Sequence, residues 1–159
     1  MSTILDTLEG FYNLIKQSQP ELYRLKQELT KEIKCKSIYE ILQEEDIDLI
    51  KSLIDIKQGH CYENAYRVAD ILDYLGVTYC EGYILVCGIP LDHAFNSLNG
   101  QFFDVTMELA NKDDVSEFEY AVVKEYKAED ALLIMSNNSL HTYGNVFDKE
   151  FIDSVKNKH

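Results

Sequence analysis

The chain has 159 residues, 46% of them hydrophobic, which is enough to bury one sizeable core and too few for two comfortable domains, so a single domain over 1–159 is expected. Acidic side chains outnumber basic ones 28 to 15, and the formal charge of -13 argues against a nucleic-acid backbone or an anionic membrane surface as the main partner. No run nears the roughly 18 apolar residues of a membrane helix, the start "MSTILDTLEGF" lacks the basic-then-apolar pattern of a signal peptide, and a cytoplasmic protein with free thiols is expected.

Residues 1–57 read as a helical N-terminal part. Ile4, Leu5, Leu8, Phe11, Tyr12 and Ile15 recur at helical steps, and Pro20 opens a second segment carrying Leu22, Leu25, Leu29 and Ile33. Ser37 and the acidic run Glu44-Glu45-Asp46 predict caps for two further short helices that end near Lys57. Residues 58–127 read as the core. Cys61, Ala65, Val68, Leu72 and Leu75 form one apolar stripe with Gly76 as its stop, predicting a central helix. "TYCEGYILV" (78–86) has strand composition, which "GIP" (88–90) is expected to break. "HAFNSL" and "QFFDVTM" follow as strands joined by Asn99-Gly100, a strong two-residue hairpin signal. A fourth strand is expected around Phe118–Tyr126. Residues 128–159 then read as a short helix over about Ala128–Met135 and an irregular tail through Tyr143 and Phe147. Helices followed by an antiparallel meander define an α+β protein, with N-terminal helices and a central helix packed on a small antiparallel sheet. Of the four cysteines, Cys35 between two lysines is expected to be exposed, and Cys80 and Cys87 to be small buried hydrophobes.

Chemistry concentrates between the central helix and the hairpin. The stripe turns Cys61, at the helix start, towards the sheet. There the helix dipole and free N–H groups favour a thiolate. A two-residue turn at Asn99-Gly100 pairs Leu98 with Gln101, which sets Phe95 opposite Asp104 and His93 opposite Thr106. His93 and Asp104 then become diagonal neighbours on one face, close enough for carboxylate to meet imidazole. Slipping the register by one residue would separate them. Cys61 as nucleophile, His93 as general base and then acid, and Asp104 as the residue that orients His93 make a complete set. Each residue alone has a plainer reading: a buried thiol, a satisfied strand histidine, a carboxylate with a local donor. Their compatible faces favour the catalytic one. His60 is expected to cap the helix or line a cleft. Glu63 and Asn64 are expected to face solvent or cap, and Asn96 to lie on the face opposite His93. His141 and Tyr143 are expected to pack or to close over a cleft. No pair shows metal-ligand spacing, so neither metal nor cofactor is expected.

"GHCYENAYRVADILDYLG" and "DHAFNSLNGQFFDVT" resemble the cysteine helix and the His-to-Asp hairpin of the transglutaminase-like branch of the papain-like cysteine enzymes, the first most closely the arylamine N-acetyltransferase helix. The resemblance covers Gln58 to Met107. It implies a papain-like, transglutaminase-like core, with the nucleophile at Cys61, the base at His93 and the acid at Asp104. It also implies an oxyanion hole from the Cys61 N–H and a second donor, for which Gln58 is the candidate. The chain departs from the acetyltransferases in carrying Gln58-Gly59-His60 before the cysteine, and from many relatives of the wider branch in having Tyr62 beside it and no tryptophan.

The expected activity is that of a cysteine hydrolase or acyl transferase, whether peptidase, amidase, deamidase or transglutaminase-like. Its substrate would be an amide, peptide or thioester, and the acidic surface favours a basic protein or small amine. The rival expectation is a non-catalytic interaction or inhibitor protein on the same fold, of the kind phages and bacteria use as effectors, with the helical N-terminal third as its docking platform.

Overall fold

A computed structural model of the chain describes residues 3–15, 17–137 and 142–156. Helix α1 (Thr3–Ile15) buries Ile4, Leu8 and Tyr12, the four-residue steps of its stripe. Helix α2 (Pro20–Leu29) starts at the proline, whose missing N–H is harmless in a first turn. It stops at Leu29, because Thr30 is extended (φ -67, ψ 126) and the chain enters strand β1 (Lys31–Ile33). Ile33 fits the helical stripe by spacing, yet it serves a strand through its pairing with distant Tyr120. Ser37 caps α3 (Ile38–Ile41), its hydroxyl accepting the Tyr39 N–H at 3.3 Å. In α4 (Glu44–Leu53) the three acids occupy the first turn, where the helix dipole favours them. This helix ends at Leu53 rather than near Lys57.

The central helix α5 (Cys61–Ile71) buries Ala65 and Val68, and Leu72 follows them into the core. A tighter turn over Asp73–Leu75 changes the period and carries Leu75 to the surface. Gly76 closes it at φ 91, in the left-handed region. Four more strands follow: β2 (Thr78–Val86), β3 (Ile89–Leu98), β4 (Gln101–Phe103) and β5 (Glu119–Tyr126). Helices α6 (Ala128–Ser136) and α7 (Val146–Lys156) complete the order, and the α+β class holds.

The sheet is antiparallel throughout but is not a simple meander, since its spatial order is β1-β5-β2-β3-β4. β5 returns to the free side of β2, and β1 joins it from outside. The expected strand does end at Val86, but the break is shorter than "GIP". The β2–β3 turn is Cys87-Gly88, both at positive φ (51 and 78), and Ile89 and Pro90 already belong to β3. Proline is tolerated there because β4 pairs only with Asn96–Leu98 and leaves that edge of β3 open. The tail is helical rather than irregular. The buried Glu81 carboxylate on β2 accepts the Val146 and Phe147 N–H groups, each at 2.9 Å, and so caps α7 from a different element.

Between β2 and β5 the register shifts at Glu81/Gly82. At that bulge a Cβ on Gly82 would stand 1.9 Å from the Ala121 carbonyl oxygen. Backbone, not a movable side chain, fills the space, so Gly82→Ala is expected to destabilise the fold by about 3 kcal/mol, read as a lower urea midpoint.

Candidate active site

The hairpin register is the one that Asn99-Gly100 dictates: Leu98 opposite Gln101, Ser97 opposite Phe102, Asn96 opposite Phe103. Both turn residues are left-handed, at φ 52 and 79. The ladder then stops. Asp104 and Thr106 do not continue β4 as expected, because the chain turns into a π-helical segment at Thr106–Ala110. Asp104 itself starts that turn, its carbonyl accepting the Glu108 N–H at 3.1 Å and its Oδ1 the Met107 N–H at 3.3 Å. Turning there brings the carboxylate into the open edge of β3.

The carboxylate meets His93 at that edge. Nε2 of His93 lies 2.6 Å from Asp104 Oδ2, and the side chains are 8% and 0% exposed. Tyr120 on β5 donates its hydroxyl to the same Oδ2 at 2.8 Å. A carboxylate this deeply buried needs such donors, and it has three. The carboxylate oxygen accepts, so Nε2 carries the hydrogen, and Nδ1 is the atom at which a second proton is gained or lost.

Cys61 lies near enough to the same imidazole to act on its protonation. With Nε2 engaged, Nδ1 is the ring nitrogen open to a second partner. Cys61 is half-buried at the first residue of α5, and no side chain caps that helix. The first-turn N–H groups and the positive end of the dipole therefore stay beside the sulfur. Burial alone would depress the His93 imidazole, but the charge and hydrogen bond of Asp104, aided by Cys61, push it up to about 10.

The remaining expected residues divide. Gln58 is exposed, and its amide donates to the Ala110 carbonyl at 3.3 Å, committing one of its hydrogens to the turn after Asp104. His60 is exposed and stands 3.7 Å from Glu63, which also pairs with Arg67 at 2.9 Å. Asn64 neither faces solvent nor caps. It is buried, donating to the Lys57 carbonyl at 2.8 Å and to the Thr106 hydroxyl at 3.0 Å, and accepting the Lys57 N–H at 3.3 Å. One amide thus ties the loop before Cys61 to the turn after Asp104. Its place three residues after Cys61, on the same stripe, was the available signal. Asn96 joins α5 to the sheet by donating to the Ala65 carbonyl at 2.8 Å and the Thr78 carbonyl at 3.0 Å. Tyr143 packs on Tyr66 with ring centroids 5.8 Å apart, and Gly144 lies against the Tyr62 ring, whose hydroxyl donates to Asn145 at 3.3 Å. His141 lies outside the described residues.

The cysteine expectations reverse in two places. Cys35 is buried, because Lys36 donates its N–H to the Phe102 carbonyl at 2.8 Å and draws that segment along β4. Cys87 is exposed at the turn, while Cys80 is buried as expected. Among the described residues no group of three or more His, Cys, Asp or Glu is placed to hold a metal ion, and no helix is long and apolar enough to cross a membrane. Comparison with protein-family models, curated proteins and solved structures returned no match, so function has to be read from these residues themselves.

The raised imidazole has a consequence for stability. In the unfolded chain a histidine titrates near 6.5, roughly its ordinary value, so the charged His93–Asp104 pair contributes fully below that pH and its contribution fades as pH climbs towards about 10. The stability margin of the wild type over His93→Gln is expected to be largest on the acid side of this window and to shrink across it, measured as urea midpoints at several pH values.

Proposed function

We propose that this chain is a cysteine-dependent hydrolase or acyl transferase with a papain-like, transglutaminase-like core. The observation that carries the reading is the His93 imidazole bonded to a buried carboxylate and close to a half-buried thiol at a helix start. Nδ1 of His93 takes the Cys61 proton, and the thiolate adds to the carbonyl carbon of an amide, peptide or thioester. The C=O π electrons move to oxygen, where the N–H groups at the start of α5 face the developing charge. Gln58 retains one amide hydrogen that could serve as a second donor. The imidazolium then returns its proton to the departing amine or thiol as the bond to it breaks, leaving an acyl-enzyme. Water or an amine attacks this thioester with His93 again as base, and Cys61 is regenerated. Asp104 keeps Nε2 protonated throughout, so that Nδ1 is the atom that gains and loses the transferred proton. The excess of acidic side chains favours a basic protein or an amine as the substrate, and it disfavours nucleic acid.

Alkylation by iodoacetamide tests the pair without a known substrate. Exposed Cys87 is the internal reference, since Cys35 and Cys80 are buried. At about pH 6, Cys61 is expected to alkylate faster than Cys87, and His93→Ala is expected to slow Cys61 by about tenfold, the thiolate fraction that one pKa unit controls. Equal rates at Cys61 and Cys87, unchanged in His93→Ala, would sink the enzyme reading and leave the interaction-protein reading.

A further inference from the structure

We propose that Tyr120 is a positioning residue of this site, sharing Asp104 Oδ2 with His93 and so limiting how strongly the carboxylate holds the imidazolium. The inference rests on the reading of Cys61 and His93 as a nucleophile–base pair. Tyr120 is fully buried on β5, two strands from His93 in the sheet, and its hydroxyl reaches Oδ2 at 2.8 Å, the oxygen that stands 2.6 Å from His93 Nε2. The ring cannot drift from this position. It packs edge-on against Phe95 at 5.6 Å and tilted against His93 at 6.2 Å. A carboxylate oxygen that accepts two donors divides its charge between them, so each bond is weaker than it would be alone.

The groups facing the hydroxyl leave it one direction in which to donate. Burial first, then the charge of Asp104, push the Tyr120 phenol up, so it remains a donor. The Cys35 thiol lies close to the same hydroxyl; burial, reinforced by Asp104, Cys80 and Glu108, pushes it up, and it stays neutral. Buried Cys80 is likewise pushed up, by burial and Glu125. Glu108 is committed elsewhere, its Oε1 accepting the Ile38 N–H at 2.7 Å. Asp104 is the acceptor that takes the Tyr120 proton. On its far side His93 links Asp104 to Cys61.

Tyr120→Phe keeps the ring and removes only the donor. Titration of the ¹⁵N-labelled His93 imidazole by NMR is expected to move upward by about half a unit, and the Nε2–H resonance to move downfield as the undivided Oδ2 tightens on it. In an Asp104→Asn background the same substitution is expected to change neither. Identical titrations in wild type and Tyr120→Phe, or a shift that survives undiminished in Asp104→Asn, would overturn the proposal. Should Tyr120→Phe not fold, 3-fluorotyrosine at position 120 supplies a stronger donor in the same place. It is expected to move the His93 titration downward, and an unmoved titration overturns the proposal. Cys61 alkylation in His93→Ala is measured alongside. If it is unchanged there, the nucleophile–base reading fails, while the His93 titration still reports on Tyr120 separately.

Discussion

The buried carboxylate of Asp104 is the constraint around which the site is organised. A carboxylate removed from water is costly unless donors surround it, and here the donors come from three parts of the chain: His93 on β3, Tyr120 on β5 and the Met107 N–H of the following turn. Satisfying one acid therefore requires the hairpin register, the return of β5 to the sheet and the end of β4 at Phe103 to be right together. Each of these is a fold-level feature, and together they bring an imidazole to the sheet edge where α5 begins.

A second polar side chain fixes the distance between the two halves of the site. Asn64 bonds to the Lys57 backbone on one side and the Thr106 hydroxyl on the other. The loop that presents Cys61 and the turn that presents Asp104 are thus joined beneath the surface, and Gln58 joins them again at Ala110 on the outside. Under the proposed function, these ties would keep Cys61 and Asp104 in fixed places on either side of His93.

Much of this was legible in the sequence where local rules decide. Asn99-Gly100 specifies its own turn and the turn specifies the register, which brings Asp104 near His93, although the contact itself is made by the turn after Phe103 and not by the continued strand that parity assumed. The stripe through Ala65 and Val68 likewise orients Cys61. Illegible features depend on partners far away in the chain. Ile33 continues a helical stripe by spacing but lies in β1 because β5 recruits it. The carboxylate that accepts the first N–H groups of α7 is Glu81, a residue on β2, which no local cap rule names. Tyr120 looks like any aromatic in a strand until β5 is known to lie beside β2. Cys35 and Cys87 were inverted because flanking lysines say little about burial when the backbone at Lys36 is bonded to β4, and because a tight turn exposes a residue that composition assigns to a strand.

The short reach of β4 has one further effect. By pairing only with Asn96–Leu98 it admits Asp104, but it also leaves the first part of β3 as a bare strand edge, with Ile89 and Leu91 exposed beside it. Such an edge invites sheet growth from one molecule to the next. Pro90 offers no N–H to an incoming strand, and exposed Asp92 would set a negative charge against a second copy of the same acidic chain. The opening that the site needs is thereby protected from uncontrolled self-association by two residues that take no part in the chemistry.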